Sequence, residues 1–204
     1  ESGSAPTGGD STDTSISGYT THVFTTSRAL TVSSSGNVDM LVVAGAGSGG
    51  DGYGGGGGAG GLIYKTSHAL TANTYDAVIG DGGASRTGDV GYDGDDSTWT
   101  INGGAVEFTA KGGGGGGQGS GIGRTGGSAG GNGYSTSTAA AETQTGQAGD
   151  SGTYGFGNNG GIGSAATNYN PGGGGGAGAV GGAGTTSVSG DGGIGKDYSA
   201  IFGT

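Results

Sequence analysis

Cysteine is absent, so the chain has no disulfide framework, no thiolate metal site and no cysteine nucleophile. Proline is nearly absent: two residues, with no sustained Gly-X-Y triplet, exclude a collagen triple helix. No run approaches the roughly 20 apolar residues that span a bilayer, and no apolar targeting segment opens the sequence. Positive charge is scarce. Six Lys and Arg against 16 Asp and Glu give 6 − 16 = −10, the wrong sign for a counterion-releasing grip on nucleic acid or on an anionic membrane. No segment sustains a 3.6-residue apolar period, so no helix beyond two turns is expected. The closest approach, residues 138–145, is too short for more than one turn.

Glycine is what fills the chain: 61 of 204 residues, about 30% against roughly 7% in ordinary proteins. Its placement divides the sequence. Residues 1–44 hold five glycines, whereas residues 112–195 hold 35 in 84 positions. Residues 1–18, almost without apolar side chains, read as a flexible leader or arm. Residues 19–111 read as a β-sandwich or jelly-roll-like module with glycine-rich loops. Its strands are YTTHVFTT, ALTVSS, VDMLVVAG, GLIYK, TYDAVIG, STWTI and AVEFTA, the last two joined by a turn at Asn102-Gly103-Gly104.

Residues 112–204 read as a glycine-rich region closed by a terminal strand. Each ordered glycine costs roughly 0.5–1 kcal/mol more than alanine, so such a region either stays disordered or uses its missing Cβ atoms for close packing. The interspersed Tyr134, Tyr154, Phe156, Ile162, Tyr169, Val180, Val188 and Ile194 favour packing, because a flexible linker would lack them. Runs such as Gly112–Gly117 and Gly172–Gly176 are then expected as polyglycine-II-like rods, three residues per turn, bonded side by side. The expected fold class is all-β, a sandwich-like module followed by a packed polyglycine region.

Few residues invite a chemical role. His22 and His68 lie 46 positions apart beside separate strands, with no triad or Glu-x-x-His pattern, and read as ordinary strand or loop residues. GAGSGG at 45–50 follows an apolar strand but precedes more glycine rather than a helix, and no GK[ST] follows, so no nucleotide loop is assigned. No catalytic residue and no cofactor are expected, and the chain is read as a non-enzyme. Asp89, Asp93, Asp95 and Asp96 supply hard oxygen ligands within eight positions, a calcium candidate. Against an EF-hand loop the match fails at Gly91 and Thr100, and the plainer reading is a solvated turn. Tyr134, Tyr154, Phe156 and Tyr169, aromatics in glycine-rich loops, are the candidates for partner contact. The plainer reading of each is a plug at the edge of the bundle. Low aliphatic content implies a small core and favours homo-oligomerisation.

The order of NVDMLVVAGAGSGG, YGGGGGAGGLI, TANTYDAVIGDGGA and STWTINGGAVEFTAKGGGGGG resembles the glycine-rich domain of tail-fibre and other virion structural proteins of tailed bacteriophages. The likeness covers Tyr19 to Gly117 by motif and the remainder by composition, and the second half is similar in composition to the polyglycine bundle of phage adhesins. The resemblance implies a virion structural protein, a fibre or surface adhesin, with other virion proteins and a host surface receptor or glycan as partners and a trimer as the first-choice oligomer. A different reading is a secreted cellular protein that polymerises into an extracellular filament by donating its leader as a strand. An ice-binding polyglycine protein fits less well, because the loops lack a flat, regular repeat.

Overall fold

The computed structural model describes residues 4–135, 138–144, 155–166 and 168–203. Three antiparallel sheets carry the strands. The largest joins β1 (Thr7–Gly8), β4 (Arg28–Val32), β7 (Asn73–Val78), β8 (Ser97–Ile101) and β9 (Val106–Ala110) in the order β1-β4-β7-β8-β9. The second joins β5 (Gly36–Val43), β6 (Leu62–Leu70) and β10 (Gly155–Phe156) in the order β10-β6-β5. A small ribbon pairs β2 (Ser11–Asp13) with β3 (Thr21–Val23). The fold is all-β, and α1 (Ser199–Phe202) is the one helix among the described residues.

Alternation along the strands builds the sandwich core. Leu30 and Val32, Tyr75 and Ala77, Trp99, Phe108 and Ala110 turn inward from the five-stranded sheet, and meet Ile63 and Leu70 from β6. Tyr75 stacks on Trp99 with ring centroids 5.3 Å apart, and its hydroxyl accepts a hydrogen bond from the Thr71 amide at 2.9 Å. The hairpin turn at residues 102–104 forms as expected, with Gly103 at φ 74° and the Gly104 amide donating to the Ile101 carbonyl at 2.7 Å.

The β5–β6 hairpin does not stop where its strands end. The amides of Ala44, Gly47 and Gly50 donate in turn to the carbonyls of Gly61, Gly58 and Gly55, at 3.1, 2.9 and 3.0 Å. Bonding has shifted from every second residue to every third, the repeat of a three-residue-per-turn chain. β9 runs likewise into residues 112–117, and residues 91–96 lead into β8.

Residues 112–117 show how these rods pack. Their amides point three ways: Gly113 and Gly116 donate to Gly45 and Ser48, Gly114 and Gly117 to Ser128 and Gly131, and Gly112 and Gly115 to the carboxylates of Asp96 and Asp93. Their carbonyls accept from three further directions: from Gly94 and Gly91, from Gly58 and Gly55, and from Gly127 and Arg124. Five rods and one pair of carboxylates therefore surround it in a hexagonal lattice. Asp93 and Asp96, three residues apart, supply oxygens where a sixth rod would supply carbonyls, and are neutralised by Arg124 and Lys111, each at 2.7 Å. Residues 171–176 form a second such centre, bonded to 129–132, 56–59, 179–182, 190–193 and 158–161. Buried side-chain amides extend the pattern, as where Gln144 accepts from the Lys111 amide at 2.7 Å and Asn132 accepts from the Gly123 amide at 3.1 Å.

Composition places a boundary near residue 111, but rods from both sides of it share this one lattice. Two expectations, on the leader and on the terminal strand, need correction. The leader is paired in the structure: β1 lies on β4, β2 on β3, and Asp10 accepts from the Thr25 and Thr26 amides at 2.7 and 2.8 Å and from the Arg28 side chain. Polar bonds do what its missing apolar residues could not. Residues 138–144, too short for more than one turn, form no helix, and the Thr143 amide bonds into the lattice at Gly126. The terminal strand is instead the turn α1, which brings Tyr198 and Phe202, one turn apart, to within 4.6 and 6.0 Å of the Tyr64 ring.

A Cβ built at Gly114 would overlap the Arg124 carbonyl oxygen, and one at Gly174 the Gly57 carbonyl oxygen, whereas Gly195 has open space. Gly114→Val and Gly174→Val should therefore each lose about 3 kcal/mol by overpacking and broken backbone bonds, a Tm drop of roughly 6–12 °C. Gly195→Ala should stay within about 0.5 kcal/mol of the parent. Equal melting of all three would refute the packed lattice. Asp93→Ala, which strands the buried Gly115 amide, should lose about 1–3 kcal/mol, and Asp93→Asn, which keeps an acceptor oxygen, about 1 or less. Equal losses would mean that the carboxylate acts only as an ion-pair partner. The Thr26 hydroxyl and amide, then the Thr25 amide and Arg28, hold the Asp10 carboxyl well below its ordinary value of 3.8. Its hold on the leader is complete above that value and is lost as pH falls through the lowered one. In Asp10→Asn the Thr25 and Thr26 amides should exchange faster at neutral pH, and the difference from the parent should begin to narrow below about pH 4 and close only as pH falls through the lowered value. A difference that does not narrow in acid would show that another group holds the leader.

Candidate functional site

Chain direction puts the loops of the bundle at one end. Residues 45–50, 112–117, 128–133 and 157–163 run away from the sandwich, and 54–60, 91–95, 121–125, 171–176 and 190–195 run back, as their hydrogen-bond registers show. The turns at 51–53, 86–89, 118–120, 134–135, 164–170 and 185–188 therefore gather at the far end. Gly119 ties three of them together, donating to Gly52 at 3.1 Å and accepting from Tyr134 at 2.7 Å.

Three tyrosines meet on this face. Tyr134 and Tyr169 have ring centroids 4.7 Å apart, and Tyr53 lies 5.6 Å from Tyr169 and 6.4 Å from Tyr134. Tyr53 is 64% exposed and Tyr169 47%. Both hold left-handed backbone, at φ 57° and 51°. This conformation costs a non-glycine residue about 1–3 kcal/mol. Glycine would remove that strain, and a chain with 61 glycines has spent none at either position. The side chains are what these positions require.

Charge lies beside the rings. Asp51 accepts from the Gly88 amide at 2.7 Å, and the amides of Gly88 and then Gly52 hold its carboxyl below the usual range. Asp89 accepts from the Asp51 amide through its carbonyl at 3.2 Å and pairs through its carboxylate with Arg86 at 2.6 Å. The Arg86 guanidinium in turn lies 4.7 Å from the centre of the Tyr92 ring. Ring faces, phenol hydroxyls, a carboxylate and a guanidinium thus share one surface on a stiff support. That combination can bind a partner by stacking and hydrogen bonding.

Of the residues expected to touch a partner, Tyr134 and Tyr169 come together. Phe156 does not join them: it sits on β10 against Leu62, with the Lys196 ammonium 3.9 Å over its ring, at the sandwich end. Tyr154 lies outside the described residues. Tyr53 was missed because it belongs to the first half, where glycine clusters read as loops of the sandwich; its signal is an aromatic inside a turn, DGYG. The four aspartates of 89–96 are turned to different tasks, the carboxylates of Asp93 and Asp96 to the lattice, that of Asp89 to Arg86, and Asp95 to the rods through its backbone amide and carbonyl. Among the described residues no group of three or more His, Cys, Asp or Glu side chains could hold a metal ion. His22 and His68 occupy different sheets, the first bonded to the Gly8 carbonyl at 2.9 Å, the second edge-on to Phe108 at 4.7 Å. The amides of Gly45, Gly47, Ser48 and Gly50 are bonded to neighbouring carbonyls, so that loop offers no phosphate cradle. Among the described residues no helix is long and apolar enough to cross a membrane.

No curated protein and no solved structure matches the chain. A family profile does, over residues 20–203, which takes in the sandwich strands from β3 onward together with the glycine rods. By that match the chain belongs to the glycine-rich domain family.

Proposed function

We propose that this chain is a non-enzymatic structural and attachment module of a tailed-phage virion, a fibre or surface adhesin. In this reading the sandwich anchors the chain in an assembly, the rods act as a stiff spacer, and the far loops meet a host surface receptor or glycan. The observation that carries it is the tyrosine face, where two exposed rings are held on strained backbone at the end of a lattice that cannot bend locally without breaking hydrogen bonds. Such pre-organisation reduces the ordering lost on binding. The sequence resemblance to virion glycine-rich domains supplies the setting, with other virion proteins and further copies of the chain, in a trimer, as assembly partners. Outside a virion the same reading places the chain extracellularly.

The filament reading depends on a leader available for donation. Here residues 7–13 are already bonded within their own chain, which favours the adhesin. The test is binding of fluorescently labelled protein to a panel of bacterial cells and purified envelope glycans, comparing the parent with Tyr53→Asn, Tyr134→Ser, Tyr169→Asn combined. The variant should lose at least about tenfold in affinity while its Tm holds or rises, since asparagine tolerates left-handed backbone. Undiminished binding by the variant would remove the tyrosine face from the proposal. Filaments of the purified protein in electron micrographs would favour the cellular reading instead.

A further inference from the structure

A second surface lies on the sandwich, remote from the tyrosines and independent of the reading above. Among the described residues the sheet order β10-β6-β5 leaves β5 paired on one side only. The small sheet packs over β8 and β9. Leu30 of β4 and Ala77 of β7, both part of the core, also reach the space beside β5. Beside the open edge of β5 runs a groove of about 1160 Å³. Leu30, Ala77 and Trp99 line it from the five-stranded sheet, Val38, Met40 and Val42 from β5, and residues 20–24 from around β3. Its rim gathers Tyr19, Leu41, Val43, Val78 and Ile201, all exposed. Scattered single apolar residues are normal, but five around one groove mark a contact surface.

The geometry specifies an extended chain. Eight residues of edge strand present backbone donors and acceptors over about 26 Å, at about 3.3 Å per residue. Charge then narrows the source. Among the described residues Asp39 is the one carboxylate on the lining and neither Lys nor Arg accompanies it. A second copy would bring its own Asp39 to this edge, on a second body of charge −10. The chain's own leader, with Asp10 and Asp13 and few apolar residues, fits no better. We propose that the β5 edge accepts a strand of a different polypeptide, apolar at alternate positions and carrying Lys or Arg opposite Asp39, which would complete the second layer of the sandwich.

The protein carries its own reporter, because its single tryptophan, Trp99, is on the groove lining. The probes are two synthetic ten-residue peptides of alternating valine and threonine, one ending in lysines and the other in glutamates. At low ionic strength the lysine peptide should shift Trp99 emission saturably and protect the amides of 36–43 from exchange, and the glutamate peptide should bind at least about tenfold more weakly. Asp39→Asn keeps an oxygen to accept from the Ser67 amide, now at 2.9 Å, and should bring the two peptides within about threefold of each other. Its Tm and unliganded emission check that it folds. The proposal is overturned if neither peptide gives a saturable response, or if Asp39→Asn leaves the preference intact. Protection of 36–43 that grows with protein concentration in the absence of peptide would assign the edge to a second copy. Tighter binding of decanoate than of either peptide would assign the groove to an amphiphile.

Discussion

Backbone amides meeting carbonyls across spaces too narrow for a Cβ hold this protein together beyond its small apolar core. A rod glycine that donates one such bond contributes about 1 kcal/mol net, which nearly offsets the extra 0.5–1 kcal/mol that glycine loses on ordering. The lattice therefore has little surplus of its own. What it avoids is the larger penalty of burying an unpaired amide or carbonyl. That penalty explains the recruitment of Asp93, Asp96, Gln144 and Asn132: wherever a neighbouring rod is missing, a side-chain oxygen takes the carbonyl's place.

The sandwich supplies what the lattice lacks. Strands β5, β6 and β9 continue without a turn into rods, so the apolar core around Tyr75, Trp99 and Phe108 fixes the spacing and direction of the chains that emerge from it. Antiparallel strands leave the sheet about 4.8 Å apart, close enough for rods to go on bonding once the period changes from two to three. Order is then passed from a conventional core into a region with almost no side chains to pack. The bundle needs no apolar core for this reason, and Ile122, Val180, Val188 and Ile194 remain exposed around it.

The sequence made this architecture legible to different depths. β7, β8 and β9 announce themselves through alternation, β-branched and aromatic residues and the Asn-Gly-Gly turn, all local signals. The rods are legible as a material, since a run of glycine punctuated by aromatics has few ways to be ordered, but which rod lies beside which is not written in any one rod. Gly114 and Gly174 look alike in sequence, and only the lengths of the connecting loops and the strands that launch them distinguish their neighbours. Long-range polar bonds were equally silent. Nothing near Asp10 foretells Thr25 and Thr26, and α1 exists because Tyr198 and Phe202 reach a tyrosine more than a hundred positions earlier. The candidate site was half visible for the same reason. Tyr134 and Tyr169 stand out in the glycine-dominated half, whereas Tyr53 becomes their neighbour only when the loops of the first half join the same lattice.

That lattice also constrains where chemistry can reside. Inside it, buried positions hold glycine, small residues such as Ser128 and Ala129, or a polar side chain that mimics a peptide group, as at Asn132 and Gln144, so the rods can carry little recognition information. The turns escape this restriction because they lie at the far end of the bundle rather than inside it, and they hold the Tyr53, Tyr134 and Tyr169 rings together with Asp51 and the Arg86–Asp89 pair. Tyrosine on left-handed backbone at two of these turns, in a chain where glycine is the commonest residue, reverses the usual preference at the positions where glycine would serve local stability best. A framework that fixes its turns from several rods can sustain that strain, and the rings it then presents have little freedom left to lose when a partner docks.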